Sequence, residues 1–410
     1  MFCYKYNDNF LFSFYEYDFT KVDVSELITA DKVYFLGKLP LLKSRECFIV
    51  NSISELFSSE ENIDLLNESN YQYDVIDFIK YKIAQRRLVY INTNYPNWSK
   101  LLKYNLSKKF RINVIGLGDV GGTLLIGLRL LGSDVVQSIG IYDRNKEKVD
   151  RWIYEINQIY SPFSDFEYPK VNSIDIDEIF DCDVFVFCVS AGVPELGEKG
   201  DVRMLQFEGN SNIIMQYAKM ARQKKFKGIF AVVSDPVDLL CKVAYLESNK
   251  DNNNSYDFEG LSSSQIIGFG LGVMNARAIF YSNEIEGAEN YSIEGRVFGP
   301  HGQGIIVANS IKNYDDNVSV RLTAKVKNAN LDVRKTGYKP YIAPALSSGA
   351  LSIISMLKGE WFYGSTFLAG VFFGCKIRYL EGFIEIEKSD IPPQLMERIR
   401  KSYNDLEVIL

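Results

Sequence analysis

The chain has 410 residues, 47% of them hydrophobic and 24% charged, with a formal net charge of −6 and one histidine. That length and balance describe a globular protein with room for more than one core. The sequence pI near 5.2 leaves no basic field for nucleic acid, and a lone histidine excludes paired-histidine zinc sites, H-E-x-x-H proteases and two-histidine iron centres.

Cys3, Cys47, Cys182, Cys188, Cys241 and Cys375 are scattered, with no C-x-x-C pair or metal-ligand spacing, the pattern of reduced and mostly buried thiols. The N-terminal stretch MFCYKYNDNFLFSFYEYDF is interrupted by Asp and Glu and lacks the basic and apolar regions of a secretory signal. No apolar run approaches the roughly 18 residues that a membrane helix needs. The expected setting is the cytoplasm, with neither membrane nor nucleic acid as partner.

Residues 1–109 carry no motif. Within them, 32–36 (KVYFL) and 88–92 (LVYIN) read as short strands. In 73–86, Val75, Ile76, Ile79 and Ile83 stand at helical spacing. The expectation is a small α/β or α+β extension of unreadable role.

At residue 110 the character changes. The strand-like run 111–116 (RINVIG) leads into Gly116-Leu117-Gly118-Asp119-Val120-Gly121, then into a helix with Leu124, Leu125, Leu128 and Leu131 on one face. A second strand, 139–142 (IGIY), ends at Asp143. A lone G-x-G-x-x-G is weak, but here a strand precedes it, a helix follows and an acid closes the next strand. Gly116 allows the tight turn, Gly118 lets a pyrophosphate approach the backbone, and Gly121 lets helix pack on strand. The helix N-terminus supplies unpaired amides for phosphate. Asp143 would accept from the ribose hydroxyls and repel a 2′-phosphate, which favours NAD as the cofactor.

The continuous apolar runs 184–189 (VFVFCV) and 228–234 (GIFAVVS) read as parallel strands buried on both faces. Between them Ile213, Ile214, Tyr217 and Ala221 predict a helix capped by Asn210 or Ser211. This alternation predicts a Rossmann-type doubly wound parallel sheet over 110–258. The asparagine-rich tract 249–256 reads as a surface loop. Residues 259–410 predict an α+β substrate domain. Its expected parts are a helix over 343–357 opened by Pro344, antiparallel strands over 367–387 turning at Gly374, and a terminal helix burying Leu395, Ile399 and Leu406.

From about Arg111 onward, the segments INVIGLGDVGG, SAGVP, VVSDPVDLL, MNAR, GPHGQG and the terminal GCKI…KSYNDLEVIL run in an order that resembles the lactate/malate dehydrogenase family. The resemblance implies an NAD-dependent enzyme exchanging a hydride with a 2-hydroxy or 2-oxo acid, assembled as a homodimer or homotetramer. It implies that Gly116, Gly118, Asp119, Val120, Gly121, Asp143, Ser190, Ala191 and Gly192 bind the cofactor. His301 falls on the family's catalytic histidine and Arg277 on its carboxylate-binding arginine, for which a planar guanidinium suits bidentate capture. Arg203 matches the loop arginine that polarises the carbonyl, with Lys199 as rival.

The chain departs from the family in three places. Where the family has a carboxylate three residues before the binding arginine, to orient the histidine, this chain has Met274. Altering the orienting carboxylate of a serine protease lowers the rate about 10⁴-fold. Asp235, at the family's S-N-P asparagine, is either a replacement for it or a helix cap before Pro236. Glu195 stands where malate enzymes carry an arginine, which argues against a dicarboxylate; Lys339 lies near another position lining the substrate pocket. Glu195 and Lys339 either contact substrate, pair with each other or face water. Three functions follow: a 2-hydroxy acid dehydrogenase, a catalytically decayed NAD(H)-binding protein acting as sensor or assembly partner, or a dehydrogenase for a carboxylate-free or cationic alcohol, with Asp235 or Glu195 meeting positive charge.

Overall fold

Two sheets organise the computed structural model, which describes residues 1–68, 73–103, 109–163, 166–192 and 202–409, the side chains of 202–205 excepted. The first sheet is built from β1 (Phe2–Tyr6), β2 (Asn9–Ser13), β3 (Thr20–Lys21), β4 (Val33–Gly37), β5 (Cys47–Ile49) and β6 (Leu88–Asn92), in the order β3-β1-β2-β4-β6-β5. Helices α1 (Val24–Thr29) and α2 (Asp77–Ala84) lead into β4 and β6, and β2, β4 and β6 run parallel. The extension is therefore an α/β unit with antiparallel edges. Helix α2 starts later than the periodicity predicts: Ile76 is half exposed at its N-cap, and Asp77 opens the first turn, where an acid suits the helix dipole.

The second sheet begins with β7 (Phe110–Ile115), α3 (Asp119–Leu131), β8 (Val136–Tyr142), α4 (Lys146–Ile156), β9 (Lys170–Ser173) and β10 (Val184–Phe187). It continues through α5 (Val202–Gln223), β11 (Ile229–Val232), α6 (Val237–Ser248) and β12 (Ile266–Gly268). Its parallel strands lie in the order β9-β8-β7-β10-β11-β12. This is the doubly wound dinucleotide-binding order, which reverses between β7 and β10 and opens a crevice at the strands' carboxyl ends. Every residue of β10 and β11 is buried, as their unbroken apolar runs require.

The chain goes on through α7 (Leu271–Ser282), α8 (Tyr291–Glu294), the hairpin β13 (Arg296–Phe298) and β14 (Ile306–Ala308), and α9 (Asp316–Lys335). A π-helical turn from Pro344 runs into α10 (Leu351–Leu357), followed by β15 (Phe362–Leu368), β16 (Val371–Leu380), β17 (Phe383–Ile386) and α11 (Pro393–Glu407). Strands β15 to β17 join the parallel sheet through the antiparallel pair Gly268 and Ser365, giving nine strands that run across residue 258. The expected turn at Gly374 falls instead at Ala369 and Gly370, both with positive φ. Gly374 lies inside β16 opposite Ser365, where a Cβ would strike the Gly299 carbonyl oxygen. Its glycine serves close packing of the His301 loop rather than a turn. Leu395, Ile399 and Leu406 of α11 are buried as predicted.

The N-terminal sheet seats on the second through polar contacts. The Tyr95 and Tyr245 hydroxyls meet at 3.0 Å, the Glu46 amide donates to Ser263 Oγ at 3.2 Å, and Asn51 Nδ2 donates to the Ile386 carbonyl at 2.6 Å. Glu385, 1% exposed, takes both Arg86 and Arg378 at 2.6 Å.

Candidate active site

The glycine-rich turn follows β7. Gly116 has φ +92°, in the region that favours glycine, and a Cβ on Gly121 would collide with the Gly116 carbonyl oxygen. A Cβ on Gly118 would meet nothing within 4 Å, so open space lies at the turn where a pyrophosphate would pass. Asp119 and Val120 form the first turn of α3. Asp143, just beyond β8, accepts from the Leu117 amide at 2.9 Å, the Asn145 amide at 3.0 Å and Lys148 Nζ at 3.0 Å. Burial alone would raise its pKa, but the Asn145 and Leu117 amides and the Lys148 ammonium outweigh burial and hold the carboxyl below the usual aspartate range. The residues present thus fit a dinucleotide: open space over glycine, amides at a helix N-terminus and a fixed carboxylate.

Ser190, Ala191 and Gly192 follow β10, beside this turn. The Ala191 amide donates to Asn210 Oδ1 at 2.7 Å, and Asn210 Nδ2 donates to the Asp235 carbonyl at 2.6 Å. Neither Asn210 nor Ser211 caps a helix, because α5 starts at Val202 and places both inside it. Fully buried, Asn210 clamps together the loops after β10 and β11. Its sequence signal was its place on the helix's apolar stripe, four residues before Ile214 and seven before Tyr217.

His301 sits in the loop between β13 and β14, flanked by Gly299 (φ +98°) and Gly302 (φ +122°). The Gly299 amide donates to the Gly374 carbonyl at 2.9 Å, and the His301 amide donates to Asp238 Oδ2 at 2.8 Å. The imidazole Nδ1 lies 2.6 Å from the Gly270 carbonyl oxygen, which also accepts from Ser348 Oγ at 2.7 Å. A carbonyl can only accept, so Nδ1 carries a proton and, in the neutral ring, Nε2 presents the lone pair. Nε2 lies 3.9 Å from Asp235 Oδ1; the histidine side chain is 15% exposed and the aspartate side chain 50%.

Met274 is 2% exposed and packs in an apolar cluster with Leu271, Val273, Val297, Ile305 and Val307. The side chain one turn before Arg277 is thus apolar, and the ring's Nδ1 lies at the Gly270 carbonyl. Asp235 does not cap α6, whose N-cap is Pro236 with no side-chain capping bond. It faces Nε2, the ring nitrogen opposite the one at the Gly270 carbonyl. Arg277, one turn after Met274 on α7, places Nη1 3.6 Å from the Met274 sulfur. Among the described residues no carboxylate lies within ion-pair distance of it. Burial pulls its pKa down from the usual arginine value, with Tyr281 and Asp235 opposing.

Lys339 is 84% exposed with Nζ 3.6 Å from Asp119 Oδ2, beside the glycine-rich turn. Glu195 and Lys199 lie outside the described residues; Arg203 lies within α5, but its side chain is not among those described. Sequence reading missed Asp238, Gly270, Ser348 and Ser365. Asp238 lay inside the quoted VVSDPVDLL segment, but nothing local marks it as a partner of a residue 63 positions away. Among the described residues no cluster fit to hold a metal ion occurs, and no helix is long and apolar enough to cross a membrane.

A dinucleotide-binding fold with this site defines a class, an NAD-binding α/β protein. Residues 110–256 match the sequence profile described as lactate/malate dehydrogenase, NAD binding domain. The chain is 28% identical over 203 residues to an L-lactate dehydrogenase of Shouchella clausii, covering 49% of this chain and 56% of that one. It is 26% identical over 219 residues to the L-lactate dehydrogenase of Mycoplasma pneumoniae, covering 53% and 61%. The match thus spans little more than half the length of these two relatives. A solved structure of a minor L-lactate dehydrogenase from Enterococcus mundtii shares the fold, with a TM-score of 0.60 and 21% identity over 74% of this chain and 98% of that one. A lactate dehydrogenase from a Medee basin deep-sea metagenome library matches with the same TM-score and coverage at 19% identity. Residues 110–256 are thus similar to the NAD-binding domain of lactate/malate dehydrogenases, and the cofactor is NAD.

Proposed function

We propose that the protein is an NAD-dependent oxidoreductase that interconverts a small 2-oxo acid and its 2-hydroxy acid. The observation that carries this reading is the His301 ring, with Nδ1 tied to the Gly270 carbonyl and Nε2 turned to the acidic side of the crevice. The cofactor, when bound along Gly116, Gly118, Gly121 and Asp143, supplies or takes up the hydride at C2 of the substrate. In the reductive direction the His301 imidazolium gives its Nε2 proton to the carbonyl oxygen as C2 gains the hydride. In the oxidative direction Nε2 takes the hydroxyl proton back.

Arg277 binds the substrate carboxylate: a half-buried guanidinium, lacking a carboxylate among the described residues, is suited to an incoming one. Asp235 gives the imidazolium a counter-charge from the Nε2 side. Arg203 takes the carbonyl-polarising role of the family's loop arginine. Glu195 sets specificity away from dicarboxylates, Lys339 borders the cleft from the cofactor side, and the working form is a homodimer or homotetramer in the cytoplasm. A panel of 2-oxo acids followed by NADH absorbance tests the reading. Turnover of at least one monocarboxylic 2-oxo acid is expected; tight NADH binding with no turnover across the panel would favour a cofactor-binding protein without catalysis.

A further inference from the structure

The loop that carries His301 has two glycines with positive φ, Gly299 and Gly302, and little side-chain mass of its own to hold it. Its histidine has to stay within a fraction of an ångström of one position for proton transfer, since about 1 Å of misplacement lowers a rate about 10²-fold. The position where the family resemblance places an orienting carboxylate holds Met274, an apolar side chain. The Gly270 carbonyl takes Nδ1 instead, and a neutral acceptor holds a ring less firmly than an ionised one.

A carboxylate reaches the histidine from another direction. Asp238 stands in the first turn of α6, 4% exposed, and both its oxygens are used. Oδ2 accepts the His301 backbone amide at 2.8 Å, and Oδ1 accepts the Ser365 hydroxyl at 2.6 Å. Among the described residues no lysine or arginine lies within ion-pair distance of it, and a buried carboxylate in that position is unfavourable unless its hydrogen bonds are well made. Burial pushes its pKa up while the Ser365 hydroxyl and the His301 amide oppose the rise. Ser365 belongs to β15 and pairs with Gly268 of β12, at the seam where the antiparallel strands join the parallel sheet. The carboxylate is therefore fixed between a helix start and a sheet seam, and it fixes the histidine's own N–H.

We propose that Asp238 is the positioning residue for His301, with Ser365 setting its orientation. It does through the backbone what a carboxylate behind the ring would do through the side chain. The inference rests on His301 as the proton-transfer residue. The backbone anchor sets where the ring's Cα sits, and the Gly270 carbonyl sets which way the ring turns.

The single histidine makes a direct test possible in the full chain, because every imidazole NMR signal belongs to His301. The wild type should show a solvent-protected Nδ1–H resonance from the bond to Gly270. Asp238→Ala should remove or broaden that resonance and lower kcat about tenfold or more, with NADH affinity changed less than about threefold. Asp238→Asn should restore most of both, since its carboxamide oxygen still accepts the His301 amide. Ser365→Ala should lie between Asp238→Asn and Asp238→Ala. If Asp238→Ala fails to fold, Ser365→Ala decides by the same two readouts. An unchanged Nδ1–H resonance and unchanged kcat in Ser365→Ala and Asp238→Ala would overturn the proposal. If the wild type reduces no 2-oxo acid, the functional reading fails by itself, and the Nδ1–H resonance still decides whether Asp238 positions the ring.

Discussion

The cofactor cradle and the histidine pocket lie at the same end of one sheet and are built in opposite ways. The cradle is local. Gly116 to Gly121 are consecutive residues between β7 and α3, and Asp143 stands at the end of the neighbouring strand, bonded to Leu117. The pocket is assembled from afar. His301 is held by Asp238, Gly270 and Gly374-bonded Gly299, and those partners come from a helix start, a strand end and a strand interior. The contrast teaches that a phosphate site can be made from backbone amides of one turn, whereas orienting one imidazole needs several rigid elements at once.

The largest expected effect probes the pocket. His301→Asn should lower kcat about 10²–10⁴-fold while NADH titration gives an unchanged affinity; comparable turnover in the variant would remove histidine from the mechanism. Next comes a second assembled polar contact, between the two sheets. Burial pushes Glu46 up to about 7, against the Ser262 hydroxyl and the Lys100 charge. An unfolded glutamate ionises lower, near 4.5. Between those values the folded chain therefore holds the extra proton, and stability falls as pH rises, levelling off above about 7. The loss should be about 3 kcal/mol on the linkage scale of roughly 1.4 kcal/mol per pH unit. Chemical denaturation from pH 4.5 to 8 should show that loss in the wild type and a flatter profile in Glu46→Gln.

Arg277→Lys should raise KM for the 2-oxo acid about tenfold, as expected when a bidentate charged contact worth about 1.5–3 kcal/mol becomes a single one. An unchanged KM would show that the substrate carboxylate binds elsewhere. The smallest effect belongs to the cradle. Asp143→Asn should relax the preference for NADH over NADPH by a few-fold, about 1 kcal/mol of charge repulsion near the surface. An unaltered ratio of kcat/KM values would mean that Asp143 serves only to brace the Leu117 and Asn145 amides.

Much of this contrast was legible in the chain. The parallel strands β7, β10 and β11, the glycine turn, Asp143 and the motif that holds His301 could all be read from runs of neighbouring residues. Boundaries were less legible. Helix α5 begins upstream of its expected cap because Asn210 turns inward, and Gly374 lies in a strand because its missing Cβ admits another loop. The N-terminal unit's strands were partly visible, but its six-stranded order was not, since three of its strands lie at 2–21 in sequence without a motif.

By itself, the sequence determined the cofactor fold, the place of the lone histidine and the apolar residue at Met274. Those features depend on residue type and on spacing within a few turns of chain. Tertiary structure alone decided which groups meet the histidine. It turned Asp235 toward Nε2 rather than into a helix cap, and brought the Gly270 carbonyl to Nδ1 and Asp238 to the histidine amide. The physical reason is that a hydrogen bond is satisfied in space by whatever donor or acceptor the packed elements bring within about 3 Å, and sequence spacing carries no record of a partner dozens of residues away.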